Sequence, residues 1–202
     1  MHRAAAALIA LVCWVGIGLQ FWATYSHTHD LLATVWTLAR FFTIISNFVL
    51  AVTMTMISGG KRLSTLFLGG LTLAVLLVGV VYWILLRGLH PLSGAALTAN
   101  YLLHDVSPLA TAVYWLLFVP RGKLRWSAPW WWTIFPVVYF LYVLGRGQLD
   151  DRYPYPFIDA GKLGWLQVAL NSGGIALGFI LAGFALVWID GWRPLGPSGG
   201  RR

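Results

Sequence analysis

TLFLGGLTLAVLLVGVVYWILL, residues 65–86, contains no charged side chain. A helix needs about 20 apolar residues to cross a bilayer core, so this stretch reads as a membrane span. The rest of the chain follows from it. Of 202 residues, 59% are hydrophobic and only 10% are charged, against about 25% charged in soluble domains. Further apolar runs lie at 4–23, 38–57, 98–119, 128–145 and 165–189, making six predicted spans. The expectation is an all-α membrane protein: one six-helix transmembrane domain over 1–192, with a flexible Gly/Pro-rich tail over 193–202. The first run is long and no clear cleavage site follows it, so it reads as a span rather than a removed signal.

Charge decides the orientation. The formal net charge is +8, but no basic amphipathic stripe runs along any segment, so nucleic acid is not the expected partner. Nine Lys and Arg residues fall before span one, in the even-numbered loops and in the tail, and five fall on the other side. Asp30, Asp150, Asp151 and Asp159 share the poorer side. The positive-inside rule then places both termini in the cytoplasm. Cys13 has no cysteine to pair with, which excludes a disulfide scaffold, and 31 aromatic residues exclude disorder.

Polar side chains inside a bilayer are costly, so their depth carries information. Gln20, Thr43, Ser46, Asn47, Tyr82, Asn100, His104, Tyr139, Tyr142, Asn171 and Ser172 fall toward the outer half of their spans. That pattern predicts a polar cavity open toward the non-cytoplasmic side. Thr43 and His104 each fall about one turn inside spans that run in the same direction, so the 1.5 Å rise per residue brings them to nearly one depth. Asn47 shares the helix face of Thr43, and Asn100 shares that of His104. Asp105 is rotated about 100° away from His104. A Thr hydroxyl next to a neutral imidazole can attack a carbonyl, and fixed donors can hold the resulting oxyanion. Asn47 and Asn171 are the expected donors. Arg40, Arg146 and Lys162 are the expected holders of a substrate carboxylate.

Plainer readings compete. Thr43 can bond back to its own helix, and His104 and the three Asn residues can serve as interhelical glue. His27-Thr28-His29-Asp30 has the residue types of a metal cluster but no further ligand, and no metal or other cofactor is expected. Trp130-Trp131-Trp132 reads as an interfacial belt. Gly69-Gly70 and Gly173-Gly174 read as close helix-packing points, and Cys13 as a packed residue.

Arg40-Phe41-Phe42-Thr43 resembles the K-F-x-T motif of the androgen-induced-gene-one and androgen-dependent TFPI-regulating protein family. Asn100-Tyr101-Leu102-Leu103-His104 resembles its N-x-x-x-H motif, and Tyr155-Pro156-Phe157 its Y-P-F motif, in the same order along the chain. Two departures stand out: Asp105-Val106-Ser107-Pro108 replaces a Thr-rich stretch, and Ser46-Asn47 stands where the family has an acid. The resemblance implies a multi-span threonine hydrolase cleaving fatty acid esters of hydroxy fatty acids, with Thr43 as nucleophile and His104 as its essential partner. Asn100 also matches. The expected partners are the membrane, which would be the plasma (inner) membrane, and a lipid substrate. The rival expectations are a non-enzymatic lipid-binding or transport protein using the same cavity, and a structural membrane subunit.

Overall fold

A computed structural model describes residues 1–89 and 91–192. The expected tail over 193–202, with Arg193, Arg201 and Arg202, lies outside the described residues. Among those described, every regular element is helical. Helix α1 is His2–Thr28, α2 is Leu31–Leu38, α3 is Phe42–Ser58 and α4 is Thr65–Val81, which runs on into a π-helical turn at Tyr82–Leu86. Next come α5 (Gly94–Tyr101), a second π-helical turn (Leu102–Val106) and α6 (Ser107–Phe118). Last are α7 (Ala128–Asp150), the four-residue α8 (Ala160–Leu163) and α9 (Trp165–Gly191).

Among the described residues four helices are long and apolar enough to cross a membrane: α1, α4 with its π-helical turn, α7 and α9. The number is five if α2 and α3 count as one bent span. The expected span over 98–119 falls within three consecutive pieces, α5, the π-helical turn and α6, because its helical register slips once. In the most apolar windows of α1, α7 and α9 only 28%, 22% and 22% of residues are buried. Leu8, Leu117, Leu141 and Leu166 are each more than half exposed. In water such faces would be prohibitive, whereas acyl chains match them.

One apolar core draws on α1, α3, α4, α6, α7 and α9, with Cys13, Leu50, Val75 and Trp115 almost fully buried. Helix α1 packs on α3, α5 and α6, while α4 packs on α3, α6, α7 and α9. Trp132, expected with Trp130 and Trp131 in an interfacial belt, is buried instead. It is 6% exposed, against 65% for Trp131, and lies on the glycine pair of α4. A Cβ at Gly69 would come within 2.8 Å of its ring, and its Nε1 donates to Leu66 O at 2.8 Å. Gly173 and Gly174, expected as a packing point, face open space. The close approach on α9 is at Gly183, against Pro129.

Span two was expected to run unbroken over 38–57. Instead the chain turns by 96° between α2 and α3, with Phe41 extended. The turn releases backbone groups from intrahelical pairing, and such groups need other partners away from water. Tyrosines supply them. Tyr142 donates to Ala39 O at 3.2 Å, Tyr139 donates to Arg40 O at 2.8 Å, and the Tyr155 hydroxyl accepts from Phe42 N–H at 3.0 Å. Thr43 is therefore the second residue of a helix, not a residue one turn inside one.

Candidate active site

The π-helical turn has an identifiable cause. Pro108 has no N–H, and in an α-helix its ring would press on the carbonyl of residue i−4, His104. The chain widens instead, and Ser107 N–H bonds Leu102 O, five residues back. Leu103 O, left without a backbone donor, accepts from Asn47 Nδ2 at 3.2 Å. The widened turn bulges toward α4, where Gly79 makes room. A Cβ there would stand 3.1 Å from His104 O and 3.2 Å from Pro108 Cβ and Cγ. Such turns recur at functional sites because they re-aim a side chain.

Here the re-aimed side chain is His104. Its Nε2 lies 3.1 Å from Thr43 Oγ1, and its Nδ1 lies 3.1 Å from Asn100 O. A carbonyl can only accept, so in the neutral ring Nδ1 carries the hydrogen. Nε2 then presents a lone pair, and the Thr43 hydroxyl donates to it. The imidazole packs on the Tyr82 ring with centroids 4.4 Å apart, and Tyr82 accepts from Asn100 Nδ2 at 2.6 Å. Asn100 therefore orients the pair twice, directly through its carbonyl and indirectly through Tyr82. Asp105 takes no part, since it accepts from Trp83 Nε1 at 2.5 Å.

The expected oxyanion donors are committed elsewhere. Asn47 Nδ2 donates to Thr43 O at 2.9 Å as well as to Leu103 O, so both of its hydrogens are used. Its Oδ1 accepts from Ser107 Oγ at 2.6 Å and faces Cys13 Sγ at 3.7 Å. Asn47 is the tie between α3 and the widened turn. Asn171 Nδ2 donates to Phe157 O at 2.9 Å, which pins α9 to the preceding loop.

Two of the three expected carboxylate holders, Arg40 and Arg146, are committed too. Arg40, 7% exposed, pairs with Asp150 and donates to Arg152 O at 2.5 Å. Arg146 donates to Trp36 O and Tyr142 Oη, with its guanidinium 3.7 Å from the Trp36 ring centre. Lys162 pairs with Asp159 at 3.1 Å on a side chain that is otherwise exposed. Arg40 and Arg146 thereby hold backbone turns in place, whereas Lys162 makes only this surface pair. No cluster of three or more His, Cys, Asp or Glu able to hold a metal occurs among the described residues.

Two hollows meet at Thr43. One enclosing about 850 Å³, its open mouth included, runs between α4, α7 and α9 past Val78, Pro136, Phe140, Ile175 and Phe179. Its lining is almost wholly apolar. The other, of similar size, carries the polar groups: Gln20, Tyr82, Asn100 and His104, with Leu89 and Leu92. Thr43, Leu86 and Tyr155 line both. Spacing could not reveal that junction, because the Tyr155 loop reaches it from more than 100 positions away in the chain. Comparison with family models, with curated proteins and with solved structures finds no match for this chain.

Proposed function

We propose that this chain is an intramembrane hydrolase of lipid esters, with Thr43 as nucleophile and His104 as general base. One observation carries the reading: the Thr43 hydroxyl faces the lone-pair nitrogen of an anchored imidazole where an apolar hollow meets a polar one. A structural Thr needs no oriented His, and a structural His needs no cavity on either side of its partner.

In the proposed reaction an acyl chain lies in the apolar hollow and its ester carbonyl stands at Thr43. Oγ1 bonds to the carbonyl carbon as its proton passes to His104 Nε2, and the carbonyl electron pair moves onto oxygen. Collapse of this intermediate expels the alcohol, which takes the proton from His104 and leaves an acyl-Thr43 ester. A water molecule then gives a proton to His104 and its oxygen bonds to the acyl carbon; the bond to Oγ1 breaks, the acid leaves, and the proton passes from His104 to Thr43 Oγ1. Fatty acid esters of hydroxy fatty acids, the substrates implied by the sequence resemblance, have the required two arms. The proposed setting is six spans with both termini cytoplasmic and the site toward the outer face of the plasma membrane.

The test is turnover by protein reconstituted in liposomes. Wild-type protein should release acid from a long-chain ester, and Thr43→Val, which keeps the shape and removes the hydroxyl, should release none. Ester binding without turnover by folded wild-type protein would instead favour a lipid-binding or transport role.

A further inference from the structure

With both Asn47 amide hydrogens bonded elsewhere, and Asn171 tied to Phe157 O and in the wall of neither hollow, the negative oxygen formed at Thr43 needs another partner. We infer that the Tyr155 hydroxyl donates the hydrogen bond that stabilises this oxyanion, making Tyr155 a third catalytic residue. The inference rests on the hydrolase reading above.

Tyr155 reaches the site from the loop between α7 and α9. Its ring stacks on Phe157, with centroids 5.2 Å apart and planes within 4°, and meets Phe41 edge-on at 6.3 Å. The ion pair of Arg40 with Asp150, and the bond from Arg40 to Arg152 O, fix the start of the loop. The hydroxyl is thus held in place before substrate arrives, which is the condition for strong transition-state stabilisation. Its oxygen accepts from the N–H of Phe42, the residue before Thr43, and Tyr155 lines with Thr43 the wall shared by both hollows. Accepting a bond from a helix N-terminal N–H draws electron density from the phenol and strengthens its O–H as a donor. The positive end of the α3 dipole adds to the effect at the same point.

The step balances. As Thr43 Oγ1 bonds to carbon, the carbonyl π pair becomes a lone pair on oxygen, and the Thr proton goes to His104. The Tyr155 proton stays on Tyr155, hydrogen-bonded to the oxyanion. When the carbonyl re-forms, the leaving alkoxide takes the proton from His104.

Tyr155→Phe keeps the stacked ring and deletes only the hydroxyl. In liposomes, with a long-chain 4-methylumbelliferyl ester, its kcat should fall about 100- to 1,000-fold, the usual effect of losing one oxyanion donor, with KM nearly unchanged. Inhibition by a long-chain trifluoromethyl ketone, which forms a tetrahedral oxyanion on the nucleophile, should weaken by a comparable factor. A Tyr155→Phe kcat within about threefold of an active wild type overturns the Tyr155 role and leaves the Thr43 reading standing. A wild type inactive on every ester, while Thr43→Val behaves identically, overturns both. If the Phe variant does not fold, 3,5-difluorotyrosine at position 155 decides. Its more acidic phenol should lose its proton, and with it activity, at lower pH than the natural chain; superimposable pH profiles overturn the inference.

Discussion

The separation of 3.1 Å between Thr43 Oγ1 and His104 Nε2 matters because the opposite ring nitrogen is already spoken for by Asn100 O. Without that anchor the ring is free to adopt the tautomer that points a hydrogen at the nucleophile. His104→Ala should therefore lower kcat by about 100- to 10,000-fold, the usual worth of a positioned base. Thr43→Ser should retain measurable turnover, since it keeps the hydroxyl and gives up only a methyl. Asn47→Leu should lower unfolding stability by about 1–3 kcal/mol in a detergent melt, because Leu103 O and Ser107 Oγ lose a shared partner in an apolar setting. Helix rise and span direction made the meeting of Thr43 and His104 legible, but not the bend that puts Thr43 at the start of α3 instead of one turn inside a span. The commitments of Asn47, Arg40 and Arg146 were not, because each depends on a partner that only packing of distant segments brings near. Their polar character in the sequence is the same whether they bind a ligand or a carbonyl.

Helix α3 and the widened turn illustrate how an element can be visible while its defect is not. Apolar runs marked both segments. The bend before Phe42 has no Pro or Gly to announce it, and the hydroxyls of Tyr139, Tyr142 and Tyr155 satisfy the backbone there. At the other break Pro108 was in plain view, four residues after His104, but a proline in a span can kink, end or widen a helix. The Gly79 cleft selects widening. Gly79→Ala should thus push on the His104 carbonyl and turn the imidazole away. Activity in liposomes should fall about tenfold or more, consistent with overpacking of about 1–3 kcal/mol. Gly178→Ala on α9, where a Cβ would meet nothing within 4 Å, should leave turnover unchanged. Equal effects at the two glycines would detach the widened turn from the chemistry.

Across the whole molecule, the same helices that show apolar faces outward enclose an apolar hollow within, and both follow from a sequence that is 59% hydrophobic. Composition and span length made the membrane class legible; the inner hollow was not, because outward and inward Leu, Ile and Phe look alike in a span. On the proposed reading, Ala176, which lines that hollow, sets how much acyl chain fits. Ala176→Phe should lower kcat/KM for hexadecanoyl esters by about 10- to 100-fold while sparing butanoyl esters, as expected when several methylenes lose their burial. A uniform loss across chain lengths would argue against acyl binding there. The most direct check on the account is the site of covalent capture. Purified protein treated with a long-chain fluorophosphonate, digested and mapped by mass spectrometry, should carry the adduct on Thr43, and the adduct should be lost in His104→Ala. An adduct on another residue, or a Thr43→Val chain that hydrolyses ester as fast as the wild type, would contradict it.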